Sequence, residues 1–208
     1  MMLLTIAIMT GRSFGFTDPY VTVMSSAISD LYQCQTADRY RESANRFERI
    51  AARERARWLP YYYASYAYIQ ISFMEQDMAK RDIILDKAQQ LLDSAMKLAP
   101  DESEVYVLQA LLNPSRILVD PMGRGMLYMG KTYEMLNKAK SLNPENPRIY
   151  FLEAINTLNM PEAMGGGADK AKPLFELAQT KFNNFTPADS LAPAWGGDAN
   201  EAQLQKLK

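Results

Sequence analysis

Along this chain apolar and small residues recur at intervals of four and three, the spacing that returns a side chain to nearly the same side of an α-helix. Ala88, Leu92 and Ala95 set the pattern and Pro100 ends it; Thr132, Leu136 and Ala139 repeat it before Pro144; Ala171, Phe175 and Ala178 repeat it before Asn183. Each set predicts a helix that returns against a leading helix opened by a large aromatic: Tyr61 with Ala64 and Tyr68, Tyr106 with Ala110, Tyr150 with Ala154. Start signals agree with the periodicity. Asp18-Pro19 predicts a first helix reaching about Cys34, and Asn146-Pro147 opens the third leading helix, an acceptor side chain capping and a proline in the first turn. Thr36 caps a second helix whose apolar side is Tyr40, Ser43, Ala44, Phe47, Ile50 and Ala51. Gly165-Gly-Gly167 marks a turn. Near the end, Asp198 with Glu201 three residues later predicts a capping box for a last polar helix carrying Ala199, Ala202 and Leu207.

A large aromatic, a small residue four later, then small, bulky, small and proline, is similar to the tetratricopeptide (TPR) repeat, over roughly residues 36–183. Units fall at about 36–57, 58–100, 101–144 and 145–183, with a C-terminal cap at 184–208. The breaks at Arg55, Pro100, Pro144 and Asn183 give spacings of 45, 44 and 39, longer than the roughly 34 of that repeat. The excess predicts inserts between the two helices of each unit, at about 73–84, 112–128 and 159–168. Trp58-Leu-Pro-Tyr-Tyr-Tyr63, Asp120-Pro-Met122, Asn143-Pro-Glu-Asn-Pro-Arg148, Gly165-Gly-Gly167 and Pro193-Ala-Trp-Gly196 also resemble a group of exported bacterial TPR proteins without an assigned activity. The resemblance implies an all-α, TPR-like helical-hairpin solenoid with long intra-repeat inserts and a C-terminal capping helix. It further implies a concave face carrying Tyr62, Tyr66, Ile69 and Gln70, then Glu104, Val107 and Leu111, then Arg148, Phe151 and Ile155, suited to a helix or an extended peptide.

Composition narrows the chemistry. The 208 residues contain no histidine, which removes the commonest general base, the usual zinc ligand and every histidine-dependent triad. The single cysteine, Cys34, makes no internal disulfide and reads as a packed thiol. Lys and Arg number 23 against 24 Asp and Glu, so the overall balance offers no attraction for nucleic acid or anionic lipid. One local exception exists: seven arginines stand against three glutamates between residues 39 and 57, with Arg39, Arg46, Arg49, Arg53 and Arg57 on one helix side. That stripe is either a solvated face or a seat for an anionic partner. The apolar run 2–9, too short to cross a bilayer, with Ser13 and Gly15 after it, predicts a signal peptide over 1–15 and an exported, periplasmic or otherwise extracytoplasmic chain with no transmembrane span after cleavage.

Two further patterns demand a reading. Gly125-Met-Leu-Tyr-Met-Gly130-Lys131-Thr132 spells a phosphate loop, but its four central residues are bulky helix formers, no strand precedes it, and Thr132 is needed for packing. Met122, Met126, Met129 and Met135 could hold a soft cation through thioethers, yet read as adaptable core filling. Paired carboxylates such as Asp101 and Glu104 sit at helix starts, where the dipole accounts for them. The sequence therefore predicts a non-enzymatic module with no cofactor, metal, nucleotide or nucleic acid, binding a protein or peptide in its concave groove. The alternative is a periplasmic small-molecule carrier with a pocket roofed by the inserts.

Overall fold

A computed structural model describes residues 18–207. Among them the regular structure is helical: α1 (Pro19–Tyr32), α2 (Ala37–Arg53), α3 (Trp58–Met74), α4 (Met78–Leu98), α5 (Ser103–Val119), α6 (Pro121–Leu142), α7 (Pro147–Asn159), α8 (Ala168–Asn184) and α9 (Gly197–Lys206), with a short 3-10 turn at Glu162–Met164. Consecutive helices pack against each other, and α5 also touches both α3 and α7, so the leading helices lie side by side. The expected signal peptide lies outside the described residues. No described helix is long and apolar enough to cross a membrane.

The three recurring sets behave as one motif. Ala88, Leu92, Ala95, Thr132, Leu136, Ala139, Ala171, Phe175 and Ala178 are all fully buried. Leu92 is fully buried, so alanine there should lose about 2–5 kcal/mol by removing methyl contacts and leaving a cavity. The caps follow the sequence as well: Asp18 accepts from the Tyr20 N–H, Thr36 from Arg39 and Asn146 from Arg148. Two apolar clusters result, one built on α1–α4 and one on α7–α8 with α6, and α5 contributes to both.

The inserts are corrected by the structure. Residues 73–84 contain only a three-residue break, at 75–77, and 112–128 only Asp120; the surplus residues lengthen the helices instead of looping out. Only 160–167 is a true connection, and Gly165 and Gly167 take positive φ there, at 89° and 98°. The final helix is also entered differently from the expected capping box. Gly196 holds the N-cap position at φ 104°, and a Cβ there would sit 3.0 Å from the Phe182 ring, so a glycine is required on both counts. Asp198 lies in the first turn, and the buried residue of α9 is Asn200, whose amide donates to the Phe175 carbonyl at 3.1 Å.

Candidate functional site

The ten residues expected on the concave face are brought together but not left open. Tyr62, Ile69, Glu104, Val107, Arg148 and Phe151 are buried, and Tyr66, Gln70, Leu111 and Ile155 are half-buried. Over Tyr62, Tyr66, Arg148 and Phe151 lies the segment between α8 and α9. The Trp195 indole donates to the Tyr62 hydroxyl at 2.8 Å and its ring lies 5.5 Å from that of Tyr66; Tyr63 donates to the Leu191 carbonyl at 2.7 Å; the Ala194 N–H reaches the Tyr32 hydroxyl at 3.1 Å. Beneath this strap, Arg148 grips Glu104 with Nη2 at 2.5 Å and Nε at 2.9 Å, and Asn146 donates to the same carboxylate at 2.8 Å. Burial pushes the Glu104 carboxyl up from its usual range while Arg148 pulls it back. This cluster ties α3, α5, α7 and the strap together, and Glu104 and Arg148 line a cleft of about 250 Å³ with Trp58, Leu59, Phe185 and Pro193.

Exposed apolar surface lies elsewhere, at the turn between α5 and α6. Among the described residues Met122 is 98% and Met126 84% exposed, correcting the expectation that these methionines fill core. Leu118, Leu127 and, in the next turn, Met164 are exposed too. Met122, Met126, Met129 and Tyr133 follow one another at four, three and four residues, which puts them on a single side of α6; the latter two are half-buried. On α5, Pro114 and Ile117 continue the stripe of Val107 and Ala110 that packs into the second cluster, and are half-buried themselves.

Helix lengths explain why this surface is bare. α6 has 22 residues and α7 only 13. Lys140 of α6 pairs with Glu153 of α7 at 3.6 Å and lies over the Tyr150 ring, which fixes the antiparallel register. α7 ends six residues beyond Glu153, so α6 residues before about Glu134 project past it at 1.5 Å each. A Cβ added at Gly125, in the middle of this projecting part, would meet no atom within 4 Å.

The projecting hairpin is fastened to α4. Arg124 forks onto Asp82 at 2.8 and 2.7 Å, and Arg116 bonds Asp82 and, at 2.7 Å, Asp86. Arg124, with Arg116, holds the Asp82 carboxyl at about 2. A carboxyl depressed in the folded state stabilises it above the ordinary carboxylate pKa and loses that contribution as pH falls through the folded value. Protection of the α5–α6 turn against amide exchange should therefore hold from neutrality to about pH 4 and decline toward pH 2. Asp82→Asn should reduce protection at neutral pH and flatten the acid decline.

Behind α6 a trough of about 460 Å³ runs between α4 and α6, with Gln109 and Asn113 as floor and Tyr128 and Lys131 on one wall. Between α1 and α2 lies a second groove, of about 420 Å³. The phosphate-loop spelling falls inside α6, where its N–H groups serve the helix and Thr132 donates its hydroxyl to the Tyr128 carbonyl. Cys34 is buried, and its thiol donates to the Asp30 carbonyl. No cluster of three or more metal-ligating Cys, Asp or Glu side chains occurs among the described residues; on the bare face, the atoms able to meet a metal are methionine sulfurs and the Tyr133 oxygen.

No family profile matches the chain, and no curated protein matches it. Among solved structures it is similar to the HusA haemophore from Porphyromonas gingivalis, with 32% identity and a TM-score of 0.81, over 91% of this chain and 92% of that one. This overturns the expectation of a scaffold for a protein or peptide partner. The relative is named for carrying a small molecule, and at Tyr62, Tyr66 and Arg148 the concave face that was to receive a peptide is covered by the chain's own strap. The likeness backs the small-molecule alternative.

Proposed function

The chain belongs to the family of the HusA haemophore, and from that premise we propose that it binds haem and carries it outside the cytoplasm. The observation that carries this reading is the near full-length likeness at 32% identity. The geometry supplies a seat: a haem macrocycle is a flat apolar plate, and the stripe Met122, Met126, Met129 and Tyr133 is an apolar strip, exposed at the first two and half-buried at the last two, on the part of α6 that projects past α7. Methionine suits such a surface because its unbranched, polarisable side chain adapts to a ring laid upon it. Without histidine in the chain, the familiar imidazole hold on iron is absent, and recognition rests mainly on covering the macrocycle.

Titrating the chain with haem and following the Soret band tests the reading. A saturable shift at one haem per chain, competed by no protein or peptide, is the expected result; a linear, unsaturating response would dismiss haem as the ligand.

A further inference from the structure

We propose that the groove between α1 and α2 is a seat for an anionic lipid, with its phosphate on Arg49 and Arg53 and the start of its acyl chain over Val23 and the edge of Ile50. The site lies on different elements from the haem face and stands independently of it. Its wall is the arginine stripe. Arg46, Arg49 and Arg53 are spaced by three and four residues on α2, so their guanidinium groups line one side of the groove. Two neighbouring cations are already matched: Arg46 bonds Asp30 and the Ser26 hydroxyl, and Arg57 pairs with Asp18 and Glu54 while covering the Tyr20 ring at 4.0 Å. Glu54, the carboxylate of the groove, is thereby engaged at 3.3 Å. Arg49 and Arg53 make no ion pair among the described residues, and both are exposed. Residues 36–57 hold seven arginines and four carboxylates in a chain whose net charge is −1; Asp30 and Asp18 offset part of that excess through Arg46 and Arg57, and leave Arg49 and Arg53 without a carboxylate partner among the described residues.

The floor decides which anion fits. Val23 is 44% exposed and, with the small exposed edge of Ile50, forms an apolar strip beside the guanidinium groups, while Tyr20 is buried and its ring already lies under Arg57. A free phosphate would leave that strip wet. An acidic peptide would bring backbone N–H and C=O groups onto a valine and the edge of an isoleucine, which offer them no hydrogen bond. A phospholipid satisfies both layers, since arginine forks match phosphate oxygens and the glycerol-proximal methylenes cover the floor. A haem carrier so equipped would dwell at an anionic membrane surface, where it needs no spanning helix.

Flotation of the full chain with phosphatidylcholine vesicles, with or without phosphatidylglycerol, tests this. Binding is expected only with phosphatidylglycerol, reduced about tenfold or more in Arg49→Gln/Arg53→Gln and largely kept in Arg49→Lys/Arg53→Lys. Val23→Asp should also reduce it, although every arginine remains. All these positions are exposed, so melting curves should match the parent, and the haem titration should be unchanged. Equal flotation of the glutamine variant, indifference to Val23→Asp, displacement by millimolar inorganic phosphate, or no flotation at all would each overturn the proposal.

Discussion

Glu104→Ala should lower the stability of the fold by about 3–5 kcal/mol. Arg148 is 1% exposed and its charge is met by Glu104 with Nε and Nη2. Removing the carboxylate leaves a guanidinium buried with one remaining acceptor, the Trp195 carbonyl at 3.3 Å, and leaves the Asn146 amide with only the Ser103 hydroxyl at 3.2 Å. Urea unfolding should show the midpoint falling with little change in slope. The cost arises from an unpaired charge and not from lost volume. Glu104→Leu combined with Arg148→Met should therefore recover much of the loss, because neither charge then needs a partner. A double variant as unstable as Glu104→Ala would instead mean that the strap depends on the ionic pair itself.

That pair also shows what sequence periodicity can and cannot deliver. Glu104 and Arg148 were legible as members of one inner face, as were Tyr62 and Phe151, because three leading helices share a phase. The strap over them was not legible. Leu191 and Trp195 lie in a Pro-rich stretch without period, and their partners are more than 120 residues away in the chain. Caps and the small–bulky–small sets were readable because each is local, a matter of three to seven residues. Helix ends near 73–84 and 112–128 were not. Pro114, Gly123 and Gly125 look like breakers, yet the packing of α5 along α6 holds a helix through them, tertiary contact outweighing local propensity. The methionine stripe had a visible signal, its spacing of four, three and four. Whether such a stripe is core or surface depends on the length of the helix beside it, and α7 stops too early to cover it.

The second large effect follows from that exposure. Met122→Asp/Met126→Asp should weaken haem binding at least tenfold while leaving the melting temperature close to that of the parent. Both side chains are already in water, so the substitutions remove no protein contact. Covering a methionine with a ligand contributes on the order of 1.5 kcal/mol, so losing two such contacts in full would exceed about a hundredfold, and the charges repel the propionates. Met122→Leu/Met126→Leu keeps the apolar area and should keep most of the affinity. If the aspartate variant binds as the parent does, the macrocycle rests elsewhere.

The most direct test places the ligand. With methyl-labelled methionines, haem at saturation should shift or broaden the signals of Met122, Met126 and Met129 and leave buried Met24, packed in the α1–α4 cluster, unchanged. Perturbation confined to methionines away from α6, or a Soret response with these three signals unmoved, would contradict the assignment of haem to the projecting face of the α5–α6 hairpin.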